Sequence, residues 1–180
     1  MATLIGFAPA AAQESKPTYE DGKYDFSVKV DPSWKKADLG GYGVPGVLRE
    51  AFAGPGTSSI VLFVQEPGQA YDPRFLVDAS AQGIQQTLKA DVKEKDVKTV
   101  AGKKAMWLIV EGPGTGGAID GKGDVKTVQH WVAIPREKDI VIALLTCPSA
   151  DFASCSKVFG ESVKSLVVGG KQTQSQIDSK

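Results

Sequence analysis

Apolar residues alternate with polar ones, or run together, in short blocks along most of this chain, and glycine and proline punctuate the blocks. Tyr24, Phe26, Val28 and Val30 alternate with Asp25, Ser27 and Lys29, which is the period of a half-buried strand. Asp31-Pro32-Ser33-Trp34 ends it, because proline has no N–H to give a ladder. Beyond a glycine-rich loop at 40–43, strands are expected at 47–53 and 58–65, joined by the turn Gly54-Pro55-Gly56. Further strands are expected at 92–100, 104–111, 125–134 and 140–147. Short turns between neighbours predict antiparallel pairing. The pentapeptide at 96–100 recurs at 124–128 in unlike surroundings, which reads as coincidence between two strands.

Two segments change period from two to between three and four. Asp72 caps and Pro73 opens the first, where Val77, Ala81, Ile84 and Leu88 form one stripe of a helix over 72–90. Gly83 interrupts it at a cost of up to about 1 kcal/mol relative to alanine, a sign that something packs closely there. In the second segment Phe152, Cys155, Phe159, Val163 and Leu166 mark a helix over 152–167, stopped by Gly169-Gly170. The fold class is therefore α+β: an α/β/α sandwich whose central antiparallel sheet, of about six or seven strands, is covered by two main helices. A single domain is expected at 19–168, with a leader remnant or tail at 1–18 and a polar tail at 169–180.

Charge narrows the classes of function. Lys+Arg and Asp+Glu both number 21 and are interspersed, so no field draws in nucleic acid. No apolar run approaches the ~20 residues of a membrane helix. Leu4-Ile5-Gly6-Phe7-Ala8-Pro9 followed by Ala10-Ala11-Ala12 is nonetheless leader-like, although no Lys or Arg precedes it. It reads as a clipped signal sequence or an alanine-rich tail, with export, to a periplasmic or secreted setting, the favoured reading.

Cys147 falls at the end of a strand and Cys155 on the inner stripe of the next helix, so both sulfurs face one junction. A bridge there would be worth roughly 2.5 kcal/mol and would require an oxidising compartment. The other reading is two buried free thiols. The spacing is not C-x-x-C, which argues against a redox-active pair.

Candidate chemistry is sparse. His130, the one histidine, shares a strand face with Val128, Val132 and Ile134 and reads first as a core residue. It has no second histidine or cysteine cluster with which to hold a metal. From Gly116 the loop at 112–124 nearly spells a phosphate-binding motif, but Gly123 stands where Ser or Thr belongs and a strand follows instead of a helix. Ser154-Cys155-Ser156-Lys157 matches S-x-x-K without its companion motifs. No catalytic residue, metal site or cofactor is assigned. Trp34, Trp107, His130 and Trp131 remain as tentative binding residues, with core packing the default for the tryptophans.

Tyr24-x-Phe26-x-Val28 leading to Pro32-x-Trp34, with the element order that follows over 19–168, resembles the PsbP-like fold superfamily. That superfamily includes the photosystem II extrinsic subunit PsbP, a yeast Ran-binding import factor and bacterial periplasmic or lipoprotein domains such as DcrB. The resemblance implies the same sandwich and a role in binding or accessory work without catalysis. The loop at 112–124 and the cysteine pair depart from the pattern, and no PsbP-type metal residues carry over. The expectation is a non-enzymatic exported module that contacts a protein or envelope component through the loops at 40–46 and 112–124. The alternative is a small-ligand or lipid carrier with a cleft between sheet and helix.

Overall fold

The computed structural model describes residues 19–114, 119 and 124–169. The expected leader and most of both the glycine-rich loop at 112–124 and the C-terminal tail lie outside the described residues. In chain order the elements are β1 (Tyr19–Asp21), β2 (Phe26–Val28), β3 (Lys35–Lys36), β4 (Val47–Ala53), β5 (Ser59–Gln65) and α1 (Pro73–Leu88). There follow β6 (Asp91–Val100), β7 (Lys103–Gly114), β8 (Val125–Pro135), β9 (Ile140–Pro148), α2 (Phe152–Lys164) and β10 (Val167–Val168).

Seven strands form one sheet in the order β3-β4-β5-β9-β8-β7-β6, with every pair antiparallel. Its middle strands are apolar on both sides: Ile60 to Val64 in β5 and Ile140 to Leu145 in β9 are all buried. Its β6 edge is charged instead, through Asp91, Lys93, Glu94, Lys95, Asp96 and Lys98, and it is bulged between Val92 and Glu94. Charge and a bulge are how proteins keep an edge strand from pairing with another chain. α1 begins as its sequence dictates, with the Asp72 carboxylate accepting from the N–H groups of Arg74 and Phe75 and proline in the first turn.

The segment expected as the sheet's first strand belongs elsewhere. Only Phe26–Val28 of the Tyr24–Val30 run is strand, and it lies in a separate three-stranded sheet ordered β1-β2-β10. Asp25, at φ 48°, breaks the run. The second helix is also shorter than the pattern predicts. It ends at Lys164, and the β-branched pair Val167–Val168 turns back to pair with Ser27 and Phe26. Ser165 fixes that exit, because its hydroxyl oxygen accepts from the Lys29 N–H at 2.9 Å.

The small sheet is fastened to β4 by a buried carboxylate. Asp21 is 3% exposed and accepts from Arg49 Nε at 2.5 Å, from the Tyr19 hydroxyl at 2.7 Å, and from the N–H groups of Lys23 and Tyr24 at 2.9 and 3.0 Å. Burial alone would raise its pKa. The Arg49 hydrogen bond, the Tyr24 N–H, the Tyr19 hydroxyl and the Arg49 charge together outweigh burial and hold it at about 2. A carboxyl depressed in the folded state adds stability above its unfolded pKa and loses it as pH falls to the folded one. Asp21→Asn is expected to cost about 2 kcal/mol at pH 7 and almost nothing near pH 2, as read from urea unfolding. An equal loss at both pH values would contradict this account of the fastening.

Candidate functional site

Side chains alternate across the main sheet, so its two faces make two separate cores. On one face Phe52, Leu62, Val132 and Leu145 pack under α2 and the small sheet, with Phe26 and Phe159 among the residues that reach down. On the other, Phe63, Met106, Leu108 and Ile142 pack beneath α1, which presents Val77 and Ala81. α1 lies over β6 and β7 and only reaches β8. Beyond it, the partly buried Tyr42 and Val44 of the loop before β4, and Leu48 of β4, pack on the same core.

Between α1 and those loops is a cleft of about 350 Å³, at the lower end of the range for small-molecule sites. Its floor is the sheet: Met106 of β7, Trp131 and Ala133 of β8, and Ile140 and Ile142 of β9. One wall is α1, through Leu76, Ser80, Gly83, Ile84, Thr87 and Leu88. Pro45 and Gln65 form the other side. Among the described residues no ionisable side chain lines it. Two of its polar side chains are engaged within the protein: Thr87 donates to the Gly83 carbonyl at 2.6 Å, and the Gln65 amide to the Pro45 carbonyl at 2.8 Å. Trp131 is held edge-on to Phe63, with ring centroids 6.1 Å apart, and its indole N–H donates to Gln129 Oε1 at 3.2 Å. The rim glycine also differs from its sequence reading. Nothing packs against Gly83, since a Cβ there would meet no atom within 4 Å.

Two other concavities are of different character. One is lined by Lys103, Arg136, Glu137, Lys138 and Asp139, where Arg136 and Asp139 already pair. The second gathers Lys89, Asp91, Glu111, Asp124 and Lys126, and there Glu111 is bonded to Lys93 and to the Ser149 hydroxyl. Charges of both signs line each of them. Among the described residues no three His, Cys, Asp or Glu side chains come together as metal ligands, and no helix is long and apolar enough to cross a membrane.

The sheet separates the four residues expected to bind. Trp131 alone lies on the α1 side, in the cleft. Trp34 is 4% exposed on the α2 side and so close to Gly54 that a Cβ there would stand 2.7 Å from the indole. Trp107 is packed on that same face, with Lys98 Nζ 4.0 Å from its ring. His130, 3% exposed, is sandwiched between Trp107 and Phe159 at centroid distances of 4.3 and 4.8 Å. Period two already separates position 130 from 131. Neither the cleft nor Gly83's place on its rim carries a local sequence signal, because both depend on where α1 lands.

The cysteines meet at the strand–helix junction as expected, but the structure holds them as free thiols and the anticipated disulfide is not formed. Cys155 is turned to the Ser58 hydroxyl, at 3.4 Å. Burial, and secondarily the neighbouring Cys155, push the Cys147 thiol up to about 12. It is an unreactive pair in this state.

No protein-family model matches the sequence, and no curated protein matches it. Solved structures do. The cyanobacterial PsbP (CyanoP) of Synechocystis superposes at a TM-score of 0.56 and 9% identity, covering 89% of this chain and 98% of that one. The chain has the PsbP-like fold. LpqN of Mycobacterium tuberculosis, a protein involved in cell envelope biogenesis, aligns at 0.57 and 11% identity over 88% and 87% of the two chains. The Saccharomyces cerevisiae Ran-binding protein Mog1p aligns at 0.54 and 14% over 83% and 93%. A Bacteroides thetaiotaomicron structure matches at 0.53 and 12% over 88% of this chain, which spans 50% of that protein's length. Identities this low carry the fold alone.

Within this PsbP-like fold His130 predicts how stability depends on acid. Both of its ring nitrogens are buried with no hydrogen-bond partner among the described residues, as is the Trp107 indole nitrogen. Burial pushes the imidazole down to about 4; the Glu94 carboxylate pulls the other way and Lys98 reinforces the fall. A base held neutral by folding contributes stability above its unfolded pKa, near 6.5, that is lost as pH falls toward about 4. The loss is expected to total about 3 kcal/mol, and His130→Phe should abolish that part of the pH profile in chemical denaturation. Parallel profiles for the two proteins between pH 7 and 4 would contradict it.

Proposed function

We propose that this protein is a binding module without catalytic activity, and that its working part is the cleft beneath α1, which takes an apolar ligand. The observation that carries the reading is the lining: aliphatic floor, aliphatic helix and one indole, with no ionisable group and little hydrogen-bonding capacity turned inward. Apolar surface left open to water favours a partner that covers it, at about 25 cal/mol for each Å² removed from water. The carrier reading thus stands ahead of contacts made through the surface loops, although Pro45 places the loop at 40–46 at the cleft's edge. A second reading, docking of a partner protein, draws support from Phe75, which is 60% exposed and stacked on Tyr71. The fold likeness to LpqN and to the Ran-binding Mog1p agrees with a binding or accessory role.

An exported, envelope-associated setting is part of this proposal. It is supported by the leader-like residues 4–12 and by the LpqN likeness, and export would close the Cys147–Cys155 pair. Intact mass of exported protein should then be lower than that of reduced protein by two hydrogens. Identical masses would remove the disulfide from the proposal.

The ligand reading is tested with N-phenylnaphthylamine, a neutral dye that fluoresces in apolar surroundings. The protein is expected to bind it saturably. Trp131→Ala should weaken that binding about tenfold, the contribution of one or two buried methylene equivalents. Trp107→Ala, on the opposite face, should leave it unchanged. Equal effects of the two substitutions, or no saturable binding, would sink the reading.

A further inference from the structure

Two positions in the lining of the cleft carry little or no side chain, Gly83 of α1 and Ala133 of β8. In the floor, Met106, Ala133 and Ile142 are register partners on three neighbouring strands, so they form one transverse row on the α1 face. Ala133 contributes a single methyl between two long side chains, which cuts a trough across the row. The stripe of α1 that rests on the sheet is Val77, Ala81, Ile84 and Leu88. The adjoining stripe, Leu76, Ser80, Gly83 and Thr87, lines the cleft beside it, and Gly83, exposed at the rim, adds no side chain there.

Both gaps run against what folding stability favours. Glycine inside a helix weakens it, and unfilled apolar space in a core is destabilising. Substitutions that fill such gaps are a common source of added stability unless an activity needs the space. Gly160 in α2 also has nothing within 4 Å of a Cβ, but it lines no cleft, and so it separates the helix effect from the cavity effect.

We infer that Gly83 and Ala133 are the specificity-determining positions of the cleft, and that together they admit a neutral, unbranched alkyl chain. The inference rests on the ligand-binding reading above and assigns the class of ligand. The absence of ionisable lining excludes a charged group from the interior, because an unpaired charge there would be stripped of water with no counter-ion. A trough one missing side chain wide, edged by the one helix residue of the lining that lacks a side chain, fits an unbranched chain better than a branched one. The polar end of such a ligand is left to the neutral Ser80 of the lining, since Gln65 and Thr87 are already bonded within the protein.

The test is displacement of N-phenylnaphthylamine by straight-chain neutral alcohols of increasing length, on wild type, Gly83→Leu, Ala133→Ile and Gly160→Leu. Wild type is expected to bind the dye and release it to the longer straight-chain alcohols, while branched isomers compete poorly. Gly83→Leu and Ala133→Ile should each lose about tenfold in affinity, as for roughly two excluded methylenes, and should melt no lower than wild type. Gly160→Leu should bind as wild type does. Should Gly83→Leu fail to fold, Gly83→Ala must still shorten the longest alcohol accepted. Dye binding by wild type with the cleft variants within twofold of it would overturn the assignment of the two positions and leave the binding reading standing. Dye binding that straight-chain alcohols cannot displace would overturn the alkyl chain and point to an apolar side chain of a partner protein. If wild type does not bind the dye, the inference falls together with the reading on which it rests.

Discussion

Strands β5 and β9 are apolar on both sides, so both faces of the main sheet must be sheltered from water, and the sheet is too wide for one helix to do this. Seven strands about 4.8 Å apart span roughly 29 Å, whereas a helix with its side chains is about 10 Å across. The chain meets the demand differently on each face. Beneath α2, the three-stranded sheet joins the helix as a second cover, and Asp21 and Arg49 lock it to β4. Above the opposite face, among the described residues, α1 lies over β6 and β7, and Ile119 together with Tyr42, Val44 and Leu48 covers part of the remainder. The cleft is what that asymmetry leaves.

The two faces also differ in how they treat polar groups. The α2 side buries His130 and the Trp107 indole nitrogen with no partner among the described residues, at the desolvation cost of unpaired polar groups. The α1 side instead keeps its few polar groups satisfied locally, through Gln65 and Thr87, and leaves space. Closed packing on one side gives the sheet a rigid back, and the opening on the other gives it a place to bind. Such division suits the binding role proposed above.

Much of the fold was legible because its signals are local. Asp72-Pro73 opens α1 as a cap and a proline must, and the stripe Val77–Ala81–Ile84–Leu88 faces the sheet as its spacing requires. The parity of Val128, His130 and Val132 put the histidine into a core. What could not be read depends on contacts far apart in the chain. Val167 reads as the last residue of a helix because only the pairing of Val167–Val168 with β2 makes a strand there, and that pairing joins residues more than a hundred positions apart. Gly83 looked like a site of close approach, since a glycine signals a missing side chain without saying whether protein or empty space stands opposite. The cysteine junction was legible, while the orientation of Cys155 toward Ser58 was not.

The claim at the centre of this account is that the half-covered α1 face, and no other surface, receives the ligand. Methyl and indole NMR of the protein titrated with N-phenylnaphthylamine tests it most directly. The account predicts that shifts concentrate on Met106, Ile140, Ile142, Leu76 and the Trp131 indole, with Trp34, Trp107 and Phe159 unmoved. Shifts centred on Tyr71 and Phe75, or on the α2 face, would contradict it.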